Sequence, residues 1–298
     1  MATCFNSPCQ TEFVSVNLGD ANKYLQLHAL SGTRASDYSL GNLWGWADYY
    51  GLEWGFCHSL CWIRQTRPEP CCWSPIGDWK NIDWTAFAIA PGTKIIRVPE
   101  ELLNIWEKAY AGRLQVEESR GQWDYIYNSQ ELASLKGNRF HKKRNHYNSF
   151  LKSYEYKYTP MSQDCVEEVL VLQDQWIQWR EDHDSAMLLA ENEAVYRVLK
   201  HWEDIPNLSG GTIRIDGNLV AYTVAEPLAD DTLVIHFEKG KNEYKGIYQA
   251  INTLFAQEIA NDYQFLNREQ DLDDPGLRKA KESYNPVSYV KKYTVSFK

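Results

Sequence analysis

Long apolar runs are missing from this chain: nowhere do eighteen apolar residues follow one another, so no segment reads as a membrane-crossing helix. The opening Met1-Ala2-Thr3-Cys4-Phe5-Asn6 has no charged stretch leading into an apolar one, and the chain reads as soluble and cytoplasmic, with no stable membrane insertion. The phosphate-loop, dinucleotide, His-Glu-x-x-His and Gly-x-Ser-x-Gly signatures are all absent, which removes the best-marked nucleotide enzymes, zinc proteases and serine hydrolases. Low-complexity tracts are absent too, so a folded, globular protein is expected. Cysteines are few and odd in number, at seven. Cys57, Cys61, Cys71 and Cys72 gather near His58, but Cys-x3-Cys followed by an adjacent pair does not match the spacing that closes a tetrahedral zinc site. No metal is assigned, and the thiols are read as reduced and buried among tryptophans.

What the chain does have is an uneven distribution of charge. Residues 136–152 hold six Lys/Arg and two His with no carboxylate, in a chain of formal charge −9; removing them leaves −15 for the rest. Asn138 is placed to cap a helix on which Arg139, Lys142, Lys143 and His146 follow helical spacing, with Arg144 beside them. Phe140, Tyr147, Phe150 and Leu151 fall largely on the other face. Such a helix either holds a phosphate or polyanion in a fixed array of cations or is a solvated face that balances an acidic surface.

At 298 residues, two domains are the natural expectation. In the second half, Tyr154–Tyr158 alternates like a strand, and helices follow over about 162–180 and 186–203. The strands Gly211–Ile215 and Asn218–Val224 flank Asp216-Gly217, a strong hairpin signal. Strand Thr232–Glu238 runs into a loop, Lys239–Gly246, that opens a helix from Ile247. Strand Tyr263–Asn267, a helix beginning at Pro275 and a last strand near 288–297 complete the order. This is the order of the acyl-CoA N-acyltransferase (GNAT) fold. The first half repeats it more weakly: helices near 20–28 and 40–50, strands 52–57, 59–65 and 71–73, a helix near 79–90, strand 93–98, a helix from Pro99, and strands near Leu114 and Trp123. The fold class expected is therefore α/β (α+β), two tandem GNAT-like domains, each a mixed sheet flanked by helices. The domains are drawn as 1–135 and 154–298, with 136–153 as a basic linking helix. Asn128-Ser129-Gln130-Glu131 is a capping box that starts a helix ended by Gly137.

Trp123–Tyr127, Leu135–Asn145, Asn267–Leu272 and Gly276–Pro286, with Trp73–Gly77 as a weaker block, resemble the signature blocks of bacterial proteins grouped with the C-terminal domain of phosphatidylglycerol lysyltransferase. The resemblance spans nearly the whole chain. It implies a tandem GNAT-fold protein related to enzymes that take an aminoacyl group from aminoacyl-tRNA, among them the peptidoglycan bridge-forming transferases. The multi-span membrane domain of the lipid-modifying lysyltransferases has no counterpart in this sequence.

GNAT enzymes bind the coenzyme A pyrophosphate through a loop of pattern Gln/Arg-x-x-Gly-x-Gly/Ala, an amide nest at a helix N-terminus. Here the pattern becomes Glu243-x-x-Gly246-x-Tyr248, with Lys241, Asn242, Lys245 and Gly246 as the candidate phosphate-loop residues. A carboxylate and an aromatic ring in that place oppose acyl-CoA as donor, and aminoacyl-tRNA is the donor that the resemblance implies. Glu238, Glu269, Asp271 and Tyr284 fall at the ends of the same strands and one helix, and could line one cleft. Glu269 and Tyr284, with Glu238, supply the base and proton donor that aminolysis requires. Arg139, Lys142, Lys143, Arg144, His146, Arg268 and Lys281 are the candidate donor or anion contacts. Glu269 and Arg268 read equally well as an internal ion pair, Tyr284 as a core ring, and His236 as a hydrogen-bonded sheet residue. The function expected is an acyl or aminoacyl transferase using aminoacyl-tRNA or, failing that, acyl-CoA, with tRNA or a phosphate-bearing small molecule as partner. The alternative is a non-catalytic module that binds an anionic ligand.

Overall fold

The computed structural model describes residues 12–87, 89–180 and 185–298. The chain forms two compact units. The first runs to Asp124 and takes in Gln270–Asp273 and Val290–Lys298; the second is Tyr125–Glu269 with Asp274–Tyr289.

In the first unit the order is β1 (Val14–Ser15), α1 (Ala21–Ser31), α2 (Leu40–Gly45), α3 (Ala47–Tyr50), β2 (Leu52–Cys57), β3 (Leu60–Gln65), β4 (Cys71–Gly77), β5 (Lys94–Pro99), α4 (Glu100–Ala109) and β6 (Leu114–Glu118). The second contains β7 (Asp124–Asn128), α5 (Ser129–Ser134), α6 (His141–Ser153), β8 (Tyr156–Pro160), α7 (Val166–Gln178), α8 (Ala186–Lys200), β9 (Ser209–Ile215), β10 (Asn218–Ala229), β11 (Thr232–Gly240), α9 (Ile247–Ile259), β12 (Phe265–Asn267), α10 (Pro275–Glu282) and β13 (Ser288–Val290). The last strand, β14 (Lys292–Phe297), returns to the first sheet.

The two seven-stranded sheets match position for position: β1-β2-β3-β4-β5-β14-β6 and β8-β9-β10-β11-β12-β7-β13. In each, four antiparallel strands are followed by one parallel step, β4 to β5 and β11 to β12. The mixed sheets and the repeat expected from element order are both present. The units do not follow the linear boundaries drawn from the sequence. Residues 288–297 do not form one strand: the segment divides between the two sheets, because Val295 and Phe297 bury in the first unit's core. The strand after Trp123 joins the second sheet beside β12, and α6 packs within the second unit, against α9.

Local chemistry explains most elements. The β9–β10 hairpin turns on Asp216 and Gly217, both at positive φ (50° and 79°), the backbone a two-residue turn needs. Asn128 caps α5 by accepting from the Glu131 N–H at 3.0 Å, and Asp274 caps α10 with Pro275 in its first turn. Leu135, rather than Gly137, takes the left-handed cap after α5. Asn138 opens a 3-10 turn and does not cap α6 with its side chain. The helix expected over 79–90 is replaced by a short turn at Trp84–Ala86. There the Trp79 and Trp84 indoles donate to the Pro75 and Trp79 carbonyls, and Asp83 bonds the Thr85 N–H, so side chains take up backbone groups a helix would have used. Cys61, Cys71 and Cys165 are free thiols, whereas Cys57 and Cys72 are disulfide-bonded and not reduced as expected.

Candidate active site at the parallel step of the second unit

In the second unit the β11–β12 ladder ends early. Its register runs Thr232 to Phe265, Leu233 to Leu266 and Val234 to Asn267, and there β12 stops while β11 continues to Gly240. An opening at the carboxyl ends of parallel strands is where α/β sheets place their ligands. A β-bulge lies at the same point, because the β10–β11 register jumps from Val224–Phe237 to Ala225–Ile235 and leaves His236 as the extra residue. The bulge shifts the alternation of β11. Glu238 consequently reaches Asn252 on α9, whose Nδ2 donates to its Oε2 at 3.2 Å, while Lys239 lies over the Trp176 ring of α7.

Around this opening stand Glu238, Arg268, Tyr284 and Lys143. Arg268, the first residue beyond β12, donates to Glu238 at 3.0 Å and places its guanidinium 4.8 Å from the centre of the Tyr284 ring. Lys143, from α6, sits over the same ring at 3.9 Å. Half-burial, with Arg268 nearby, pushes the Lys143 ammonium down to about 8. Burial raises the Tyr284 hydroxyl above its usual range despite Arg268, so the phenol stays protonated at neutral pH. Lys281 donates to the Arg268 carbonyl and accepts, at its own carbonyl, the Tyr127 hydroxyl at 2.8 Å, which fixes the strand end. Two buried polar atoms beside Glu238 have no hydrogen-bond partner among the described residues: Asn252 Oδ1, and Thr223 Oγ1 on the residue paired with Glu238 in the ladder. Buried polar atoms without a partner call for an explanation, and a ligand at this opening would supply one.

His236 bridges β10 and the segment that follows β12. Its Nε2 lies 2.9 Å from Glu226 on β10 and its Nδ1 2.9 Å from Glu269. Burial alone would lower the ring's affinity for a proton, but the two carboxylates outweigh it and hold His236 at about 9. Glu269 is kept at a left-handed φ of 55° by an N–H bond to the Asn267 side chain at 2.7 Å. The ion pair expected between Glu269 and Arg268 does not form; each has a different partner.

The remaining sequence candidates lie apart from this cluster. Arg139 pairs with Glu131, and Arg144 donates to the Leu135 and Gly137 carbonyls, closing the turn before α6. Lys142 and His146 occupy the exposed face of α6. Asp271 is buried against Arg120 at 3.0 Å in the first unit and does not join Glu238, Glu269 and Tyr284. In the loop before α9, Lys241 N–H donates to Val220, Lys245 N–H donates to the Tyr154 hydroxyl, and Asn242 is exposed. Gly246 is required for packing: a Cβ there would stand 2.4 Å from the His146 carbonyl oxygen of α6. Tyr248 turns toward α7, accepting from Trp176 at 2.9 Å and donating to Gly240 at 3.2 Å. Sequence reasoning missed Glu226, Asn252 and Trp176; only the run of buried β10 residues around Glu226 carried any signal.

A family profile described as Phosphatidylglycerol lysyltransferase, C-terminal, matches residues 28–296. The chain belongs to that family. A conserved protein of unknown function from Bacteroides thetaiotaomicron has the same fold at a TM-score of 0.87, with 29% identity over 97% of this chain and 100% of that one. The structure of L-PGS from Bacillus licheniformis matches at 0.63 with 14% identity, covering 93% of this chain and 91% of that one. FemX matches at 0.59 with 9% identity, over 95% and 96%, so these two likenesses speak to fold. An uncharacterized protein of Mycoplasmoides gallisepticum is 22% identical over 58% of this chain, and the match spans only 55% of that relative's length. The chain is thus homologous to the C-terminal domains of lysylphosphatidylglycerol synthetases and carries a tandem GNAT-like fold. No helix among the described residues is long and apolar enough to cross a membrane.

Proposed function

We propose that the protein transfers an aminoacyl group from aminoacyl-tRNA to an acceptor nucleophile, using the second unit's parallel step as its active site. The observation that carries this reading is the convergence of Lys143, Arg268, Glu238 and Tyr284 on one opening, in a chain of this family.

The nucleophile attacks the ester carbonyl carbon and gives its proton to Glu238. Neutralising Glu238 loosens its hold on Arg268, whose charge then follows the electrons onto the carbonyl oxygen. Tyr284, protonated, donates a further hydrogen bond. The C–O bond to the tRNA ribose breaks as the leaving oxygen takes a proton from the Lys143 ammonium. With its proton affinity near 8, Lys143 is charged at neutral pH yet able to release the proton. Glu269, assigned as base from the sequence, is poorly suited to that role, because its Oε1 is already engaged by the His236 ring at 2.9 Å.

Acyl-CoA is the weaker donor reading. The α9 N-terminus, where an amide nest would receive a pyrophosphate, is packed against the α6 backbone at Gly246, and Glu243 adds like charge. The test is a donor screen. Labelled aminoacyl-tRNA should lose its ester faster with the protein than without, and calorimetry with acetyl-CoA should show no binding. Micromolar acetyl-CoA affinity, roughly −8 kcal/mol, with no effect on aminoacyl-tRNA would overturn the proposal. Anion binding without turnover of either donor would favour a binding module.

A further inference from the structure

We infer that Trp179, at the rim of the second unit's opening, is the platform on which the terminal adenine of the aminoacyl-tRNA donor stacks. The inference rests on the aminoacyl-tRNA reading above and names what brings that donor's ribose ester to Glu238, Arg268 and Tyr284.

The backbone fixes the place. Lys241 N–H donates to the Val220 carbonyl of β10 at 2.9 Å, so this peptide bond turns its N–H toward β10. Its bond is trans, and the Gly240 carbonyl therefore points the other way, to the edge of β11 that β12 has ceased to cover. That carbonyl accepts the Tyr248 hydroxyl at 3.2 Å, and the same hydroxyl oxygen accepts the Trp176 indole N–H at 2.9 Å. Two hydrogen bonds thus tie the end of α7 to the open edge of β11, two residues from Glu238. Burial raises the Tyr248 hydroxyl above its usual range, and the charges that also act on it include Glu238, which raises it, and Arg180, which lowers it, so the ring lies within reach of both.

The two tryptophans at this end of α7 are differently placed. Trp176 is half-buried, its N–H is bonded, and Lys239 and Arg180 lie 3.9 and 5.5 Å from its ring centre. Trp179, three residues on, is 49% exposed, with the Lys241 ammonium 5.8 Å from its ring centre. A large indole left half in water, beside a cation and next to a catalytic opening, suits a flat aromatic partner, and a purine base is one. A strand rise of about 3.3 Å per residue sets Lys241 roughly 10 Å from Glu238, about the length of one nucleoside. A base over Trp179 therefore leaves its ribose ester at Glu238 and Arg268. Recognition through the base also needs no amide nest, in keeping with the α9 N-terminus that Gly246 packs against α6.

The probes are 3′-aminoacylamido-3′-deoxyadenosines with an apolar, an acidic and a basic side chain, each beside a counterpart that lacks the base. Calorimetry on the full chain should find that removing the base weakens the best-bound amide about tenfold or more in wild type. Trp179→Ala should abolish the difference and Trp179→Phe should restore most of it, both at an unchanged melting temperature because the ring is exposed. Single-turnover ester loss from intact aminoacyl-tRNA separates the inference from the reading beneath it. In Trp179→Ala the concentration of aminoacyl-tRNA that gives half the maximal rate should rise about tenfold, with the maximal rate itself within about twofold of wild type. Equal affinity with and without the base in wild type, or a base preference that survives Trp179→Ala, would overturn the inference while wild-type ester loss still upheld the donor reading. Failure of every amide to bind, together with no ester loss in wild type, would overturn the donor reading and the inference with it.

Discussion

Aligned on their parallel steps, the two units differ in what occupies the same five residues. In the first unit the β4–β5 register ends at Trp73–Ile96, and in the second the β11–β12 register ends at Val234–Asn267. Counting on from those pairs, Pro75 stands where the second unit has His236 and Gly77 where it has Glu238. Arg97 matches Arg268. Both bulges fall at this place, since the β3–β4 register also jumps here, from Cys61–Ile76 to Ile63–Trp73. The shared arginine has similar neighbours in both: Arg97 pairs with Asp37 and lies 4.0 Å over Trp73, as Arg268 pairs with Glu238 over Tyr284. In the first unit, however, Asp37 also holds Lys292, which is fully buried and bonded to Asp124 at 2.7 Å, while Asp124 takes the Ser36 N–H at 2.8 Å. The same framework is closed with paired charges in one unit and left with a half-buried lysine and a reachable carboxylate in the other. Fold repeats; chemistry does not.

The largest predicted effect tests the closed side. Lys292→Met leaves Asp37 and Asp124 buried with their shared cation gone, and should cost about 3–5 kcal/mol in denaturant unfolding. Lys143→Met, its functional counterpart in the contrast, should cost less than about 1 kcal/mol because it stays half-exposed on a ring. Similar losses at the two sites would remove the distinction. Next in size is a pH effect. The folded-state proton affinity of His236, about 9, exceeds its ordinary 6.5, so its stabilisation is complete below about pH 6.5 and disappears as pH rises through 9. The loss is about 3 kcal/mol at roughly 1.4 kcal/mol per unit, and His236→Gln should flatten it. Thermal unfolding from pH 6 to 10 reads both. Gly77→Glu, which copies the second unit's residue into the first, should destabilise by about 2 kcal/mol or more. Gly77 has φ 148° and a Cβ there would stand 1.9 Å from the Ser59 carbonyl oxygen. Smallest is Lys142→Ala on the exposed face of α6, expected within about 0.5 kcal/mol of wild type.

Much of this architecture was legible because strand alternation and turn chemistry are local. Asp216-Gly217 gave the hairpin, Pro275 the start of α10, and the strand order the tandem repeat. The return of β14 to the first sheet was not legible, since the alternation of Tyr293, Val295 and Phe297 says that a strand is half buried but not against which sheet. The site was visible in part. Glu238, Arg268 and Tyr284 lie at element ends that the fold class brings together, whereas the His236 bridge depends on a bulge that no periodicity announces. The basic helix drew attention for its summed charge, yet its single contribution to the cluster, Lys143, depends on how α6 packs in the second unit, which the charge count does not reveal.

The central claim is that the second unit's opening, and not its counterpart, performs acyl transfer. Single-turnover loss of the aminoacyl ester from tRNA, compared between wild type, Lys143→Met and Arg97→Lys, tests it most directly. Lys143→Met should slow the chemical step about a hundredfold or more at an unchanged melting temperature. The wild-type rate should also fall as pH rises through about 8, because the ammonium that protonates the leaving oxygen is lost. Arg97→Lys should leave the chemical step as in wild type. Ester loss that is unaffected by Lys143→Met, or slowed instead by Arg97→Lys in protein that remains folded, would contradict the account.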